Sequence, residues 1–236
     1  TLTDFARVVR GIATGANEFF FLTREKAKEV GIPDEFFVSA VGRTRDAEES
    51  YLTRESLEKL ERKGRPTLLF SPNGFRWEDM PDSVKNYILK GEKAGLAKRA
   101  LISTRKPWYK MEVREVPIFL FSYLGRRNAR FIKNEAGIVP LTGFLCIYPR
   151  SNDTEYIEKL WAVLQHPETI SNLRLVGKSY GSGAIKVEPR SLERLPLSSD
   201  LVNELGLVPV KANLISPLFS QDLFKKAPTK LPHLVK

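Results

Sequence analysis

Between residues 98 and 133 the chain holds ten basic side chains, Lys98, Arg99, Arg105, Lys106, Lys110, Arg114, Arg126, Arg127, Arg130 and Lys133, against two acids, Glu112 and Glu115. Trp108, Tyr109 and Tyr123 are interleaved with them. Cations neutralise phosphates and aromatic rings stack on bases, so this mixture suits a polyanion that carries stacked bases; a solvated basic face is the plain alternative. Two glycine bends lie on either side of it. The first is Arg10-Gly11-Ile12-Ala13-Thr14-Gly15-Ala16-Asn17, and the second is Tyr180-Gly181-Ser182-Gly183. Glycine has no Cβ and tolerates φ > 0, so the first bend permits a tight path with Thr14 and Asn17 expected at its rim; Tyr180 and Ser182 on the second bend are further candidates, and each of the four reads equally as a loop-stabilising hydrogen bonder. Neither has the G-x-G-x-x-G spacing or the Lys-Ser/Thr ending of a nucleotide loop, and each reads equally well as an ordinary hairpin loop. Lys178 and Lys186 flank the second bend and are candidates for phosphate contact. Arg105, Lys106, Arg126 and Arg127 are the other basic candidates, and Trp108 either stacks on bases or packs under a sheet.

The rest of the composition bounds what those residues can serve. The chain has 236 residues and a formal net charge of +10, with 42% hydrophobic and 10% aromatic residues. No apolar run approaches the roughly 20 residues that span a bilayer, so no membrane partner is expected. Cys146 is the only cysteine and His166 and His233 are the only histidines, which argues against a disulfide and against a metal cage and fits a reducing cytoplasm. The chain opens on Thr1 without a charged-then-apolar leader and reads as a piece of a longer protein. We expect one domain over 1–209 and an extension over 210–236, wrapped or frayed.

Local patterns indicate which elements position these residues. The first bend is expected to run into an aromatic strand over 18–22. Thr23 caps a helix that Gly31 and Pro33 end, and 35–41 reads as a strand. Thr53 caps a surface helix, 67–70 is a buried strand, and Pro81 opens a helix with Val84, Tyr87 and Ile88 on one face. The nearly continuous apolar stretch 113–124, then 131–132 and 138–148, reads as successive strands with short joins, hence antiparallel pairing. Asn152 or Asp153 caps a helix whose Ile157, Leu160, Trp161 and Leu164 recur at i, i+3, i+4 and i+7, which makes them core. A helix over 168–175, a brief strand ended by Pro189 and a last short helix around Leu201 and Leu205 follow. The fold class is α+β, with mostly antiparallel mixed sheets and peripheral helices.

The first bend, then Arg105-Lys106-Pro107-Trp108-Tyr109, then the second bend running to Glu188-Pro189 and Leu192-Glu193-Arg194-Leu195-Pro196, stand in an order that resembles the C-terminal part of adenine-N6 DNA methyltransferases of bacterial restriction-modification systems. Phe131-Ile132-Lys133-Asn134-Glu135-Ala136-Gly137 and the helix around Leu160 fall where that family places similar segments, so the resemblance covers about 8–196. It implies sequence-specific recognition of double-stranded DNA, with S-adenosylmethionine bound by an N-terminal methyltransferase domain of the same parent. That domain carries the family's Asn/Asp-Pro-Pro-Tyr/Phe catalytic motif. This chain has none: the nearest string, Ser71-Pro72-Asn73-Gly74, is in the wrong order, and no F-x-G-x-G cofactor strand is present. No residue here is therefore assigned to catalysis, and no cofactor is expected in this chain.

The rival readings are an RNA-binding module and a protein-interaction domain of a restriction or defence complex. The aromatic RNP motif and the GXXG loop of KH domains are missing, which weighs against the first. For a DNA reader, Lys186→Ala is expected to lower affinity for every duplex alike, while Arg127→Ala relaxes choice at one base pair, by roughly 1–3 kcal/mol. Binding of both variants to a panel of single-base changes checks this; equal loss on every sequence would remove Arg127 as a base reader.

Overall fold

The computed structural model describes residues 1–122, 129–180 and 184–210, with the backbone alone for 178–180 and 184–185. In chain order its elements are β1 (Ala6–Arg10), α1 (Asn17–Phe20), β2 (Phe21–Leu22), α2 (Arg24–Glu29), β3 (Phe37–Val41), α3 (Arg54–Arg62), β4 (Leu68–Phe70) and α4 (Asp82–Lys93). There follow β5 (Phe119–Ser122), β6 (Arg130–Lys133), β7 (Val139–Pro140), β8 (Phe144–Pro149), α5 (Thr154–Gln165) and α6 (Pro167–Val176). The last are β9 (Lys178–Tyr180), β10 (Ala184–Lys186), α7 (Pro189–Glu193) and α8 (Ser199–Glu204). The class is α+β. Local chemistry sets the helix starts: Thr23 accepts from the Lys26 amide at 3.1 Å, Thr53 from Ser56 at 3.2 Å and Asp153 from Tyr156 at 2.9 Å, each satisfying an orphan donor of the first turn.

Among the described residues, two four-stranded sheets and one strand pair carry the fold. The first sheet has the order β1-β8-β5-β6 and is antiparallel throughout. Its strand β5 is buried on both faces. Phe119 and Phe121 join Leu160 and Trp161 of α5 in one cluster, with the Phe119 and Trp161 rings stacked at 5.4 Å, while Leu120 joins Val41, Leu52, Ile132 and Phe144 in another. The second sheet has the order β2-β4-β3-β7; β3 and β7 are parallel and its other pairs antiparallel. Phe20, Phe36, Phe70, Val84 and Ile88 fill the core beside it. β9 and β10 pair separately, antiparallel.

The two sheets meet where residues 10–12 cross residues 140–144. The Gly11 amide donates to the Phe144 carbonyl and Ile12 to the Pro140 carbonyl, and Ile12 bridges Leu141 in parallel. A Cβ on Gly11 would lie 2.1 Å from the Leu141 oxygen, and one on Gly143 would lie 2.6 Å from the Gly42 oxygen. These glycines are thus demanded by backbone meeting backbone within the chain.

Three expectations need correction. The aromatic run 18–22 is not one strand: the Ala16 carbonyl accepts from the amides of Phe19 and Phe20, and that single helical turn buries both rings, 4.9 Å apart edge to face, where strand alternation would expose one of them. The stretch 113–124 is strand only over Phe119–Ser122 among its described residues. Pro117 has no amide to give a ladder, and upstream of it Asn73 pairs with both backbone groups of Met111, at 2.7 and 2.9 Å. Pro189 is the first residue of helix α7, where its missing amide costs nothing, and Glu193 at the end of that helix accepts from the Val8 amide on the edge strand β1 at 3.0 Å. No described helix is long and apolar enough to cross a membrane, and no group of three or more His, Cys, Asp or Glu among the described residues could hold a metal ion. Of the extension expected over 210–236, only Val210 is a described residue.

Gly11→Ala is expected to lower the melting temperature by roughly 2–12 °C, because overpacking against fixed backbone costs about 1–3 kcal/mol in a chain of this size. Gly64→Ala, with φ +61° and nothing within 4 Å of its Cβ, should cost only about 1 kcal/mol. Thermal unfolding of the two variants side by side checks the order.

Candidate nucleic-acid interface

Strand β1 delivers the chain to the first bend. Thr14 turns inward there and is 3% exposed, so it is not presented at the rim. Its hydroxyl accepts from the Ala16 amide at 3.1 Å, and its own proton therefore goes to the Asn17 Oδ1, with which it makes a short contact. Asn17 is exposed. Oδ1 is engaged by Thr14, and Nδ2 has no protein partner among the described residues. Gly15, at φ +78°, closes the bend against Ile102.

Three arginines of the basic segment hold this bend by its carbonyls. Arg105 donates through Nη2 to the Ala13 and Thr14 oxygens at 2.7 and 2.8 Å, and its guanidinium lies 5.5 Å from the Phe20 ring centre. Burial lowers its pKa, although the group stays charged. Arg99 donates to the Gly15 carbonyl at 3.3 Å and pairs with Glu18. Arg114 donates to the Arg10 carbonyl and, through Nε, to Glu112 at 2.6 Å. Trp108 is half-buried and packs on Phe19, Phe20 and Tyr109, with ring centres 5.7, 6.3 and 5.9 Å away.

The lysines differ. Lys98 and Lys106 are exposed and Lys110 is half-buried, and none of the three has an ion pair with any described residue. Lys110 lines a cleft of about 310 Å³ with Ala13, Thr104, Arg105 and Glu112. The remaining described cations of the segment lie elsewhere: Arg130 donates to the Ala47 carbonyl and Lys133 pairs with Glu158 at 2.6 Å, both on β6, the sheet edge opposite β1. The basic run is thus divided between two regions.

The segment that follows the second bend meets the root of the first through ion pairs. Arg10, at the end of β1, pairs with Glu188, and Lys186 at the end of β10 pairs with the same carboxylate at 3.2 Å. The cationic partners hold the Glu188 pKa below the usual carboxylate range, Arg10 contributing most. Thr14, Asn17, Arg105, Trp108 and Lys186 are therefore connected through hydrogen bonds, ion pairs and packing, with Lys106 next to Arg105 in the chain. Lys178 and Tyr180 form β9, described by its backbone alone; Arg126, Arg127 and Ser182 lie outside the described residues. Sequence reasoning overlooked Arg10, Glu188, Arg99 and Arg114 as a set. Of these only Arg10 had a local signal, its position beside the bend; the pairings span the sequence and left no trace in it.

The model of the family described as Type II methyltransferase M.Eco57I, C-terminal domain, matches residues 1–223. The chain belongs to this family. It is similar to the Type II methyltransferase M.AccI of Acinetobacter calcoaceticus, 33% identical over 208 residues, a match that takes in 87% of this chain and 37% of the relative. The chain thus spans little more than a third of that relative. Among solved structures, the type IIG restriction endonuclease BpuSI aligns over 86% of this chain and 25% of its own with a TM-score of 0.49 and 14% identity. The M.Eco57I C-terminal domain match takes in both bends, the basic segment and the Arg10, Lys186 and Glu188 linkage.

Arg105→Met is expected to destabilise the chain by roughly 1–3 kcal/mol, the range for losing charged hydrogen bonds to carbonyls that remain buried. Arg99→Met, at an exposed pair, should cost under about 1 kcal/mol. Denaturant unfolding of both variants checks the contrast, and equal losses would mean that Arg105 does not hold the bend.

Proposed function

We propose that this chain grips and reads double-stranded DNA on behalf of an adenine-N6 methyltransferase whose catalytic half, binding S-adenosylmethionine, lies in the rest of the parent protein. The observation that carries the reading is the division of labour around the first bend. Arginines hold its backbone, while Lys110 lines a cleft with Ala13, Lys98 and Lys106 adjoin Arg99 and Arg105 in the chain, and none of the three lysines has a counter-ion among the described residues. Membership of a methyltransferase family supplies the chemical context.

The physical need is clear. An adenine amino group inside a duplex is out of reach of a methyl donor, so the base must leave the stack at a cost of a few kcal/mol while the helix is held. A basic clamp without catalytic groups answers that need. In this reading Lys98, Lys106 and Lys110 take phosphates, with Lys178 and Lys186 as further contacts from the second bend. The exposed Asn17 keeps its Nδ2 donors free of protein partners among the described residues, which suits an acceptor edge such as guanine O6 and N7 or a phosphate oxygen. Thr14, Arg105 and Trp108 act behind it by fixing the bend, and Tyr180, Ser182, Arg126 and Arg127 remain candidates for base or backbone contact.

The chain should bind duplexes of arbitrary sequence in the range of roughly 10⁻⁴ to 10⁻⁶ M at physiological salt, with a log-log salt slope near −0.9 for each phosphate neutralised. Lys106→Ala and Lys110→Ala should each flatten that slope by about 0.9. Fluorescence anisotropy across a salt series measures both. Salt-independent binding, or a preference for single-stranded RNA, would overturn the reading; added S-adenosylmethionine should change nothing in this chain. In the full parent enzyme, nucleoside mass spectrometry of treated DNA should find N6-methyladenine, and N4-methylcytosine in its place would refute the assignment of the modified base.

A further inference from the structure

The ion pairs around the two bends are not equivalent. Arg99 and Arg114 each touch a carboxylate, yet each also donates to a backbone carbonyl, so their carboxylates orient side chains that are already engaged. Arg10 and Lys186 have no such second duty. Among the described residues, Glu188 is the sole side-chain partner of both. All three side chains are well exposed, at 54% for Arg10 and 40% each for Lys186 and Glu188. Their backbones, by contrast, are fixed: Arg10 pairs with Leu145 in β1, Lys186 with Lys178 in β10, and the Glu188 carbonyl receives the Leu192 amide of α7 at 2.9 Å. Rotating one side chain is enough to part the carboxylate from its cations.

We propose that Glu188 is a built-in competitor for phosphate: it occupies Arg10 and Lys186 in the unbound chain and gives them up only to a duplex whose backbone arrives in register. The proposal rests on the DNA reading above. Two cations at this spacing are a ready site for a phosphodiester, and a carboxylate between them is the nearest protein group to that anion in charge and in hydrogen-bonding capacity. An exposed carboxylate pair is weak enough to be exchanged, but it must be broken for every duplex that uses these cations. Its effect is therefore discrimination: loosely placed DNA does not compensate for the exchange, whereas correctly seated DNA gains both cations. The two cations also keep the carboxylate ionised, so the competition persists at neutral pH.

The test uses the whole chain and a short labelled duplex of arbitrary sequence, read by anisotropy over a salt series. Glu188→Gln leaves the helix-capping backbone in place and is expected to bind about fivefold tighter at low salt. Its log-log slope should be steeper by about 0.9 to 1.8, for one or two additional phosphate contacts. Glu188→Asp, whose shorter arm spans only one of the cations, should fall between. The gain should vanish when Arg10→Met and Lys186→Met are added to Glu188→Gln. Unchanged or weaker binding by a Glu188→Gln chain that melts like the wild type would overturn the proposal, as would a gain that survives loss of both cations. A wild-type chain that binds no duplex at any salt concentration sinks the DNA reading itself, whereas a wild type that binds with a normal slope beside an unchanged Glu188→Gln sinks only the role of Glu188.

Discussion

Everything at the candidate interface depends on the crossing of residues 10–12 over residues 140–144. At Gly11, just past β1, the backbone comes so close to the Leu141 carbonyl that no side chain fits between them, and hydrogen bonds to the Phe144 and Pro140 oxygens lock the crossing in place. That crossing joins the two sheets. It also fixes the direction in which the chain leaves β1, and so where Thr14, Asn17 and the phenylalanine turn of α1 come to lie. A loop anchored this firmly at its root keeps Asn17 at the surface, with its Oδ1 held by the Thr14 hydroxyl.

The basic residues divide by type for a physical reason. A guanidinium is planar, always charged and carries five donors, so Arg105 can bridge two successive carbonyls while its face rests near the Phe20 ring. An ammonium is a compact, strongly hydrated charge on a flexible stem and does this poorly. Lys98, Lys106 and Lys110 stay outside the bend's hydrogen-bonding network. The net charge of the segment therefore overstates what faces a partner: Arg99, Arg105 and Arg114 hold the bend in place, and Arg130 and Lys133 serve the far edge of the first sheet.

How much was legible in advance follows from the range of the forces involved. Helix starts at Thr23, Thr53 and Asp153 rest on hydrogen bonds three residues long, and the core stripe Leu160, Trp161 and Leu164 rests on helical periodicity, so both are written in adjacent residues. The aromatic run at 18–22 misled because β propensity favours a strand there, while the hydrophobic cluster that holds Phe70, with Tyr87 and Trp108 packed against it, takes both Phe19 and Phe20. β5 is buried on both faces, so its apolar run has no alternation to mark where the strand begins.

By itself the sequence determined the α+β class, the caps, the principal amphipathic helix, the order of motifs that marks the family, and the identity of the residues around both bends. Only the tertiary structure decided that Gly11 faces the chain's own backbone, that Thr14 turns inward to orient Asn17, and that Glu188 lies between Arg10 and Lys186. Those contacts join positions separated by as many as 178 residues. Their energies depend on where distant backbone segments come to rest, and that is a property of the packed core.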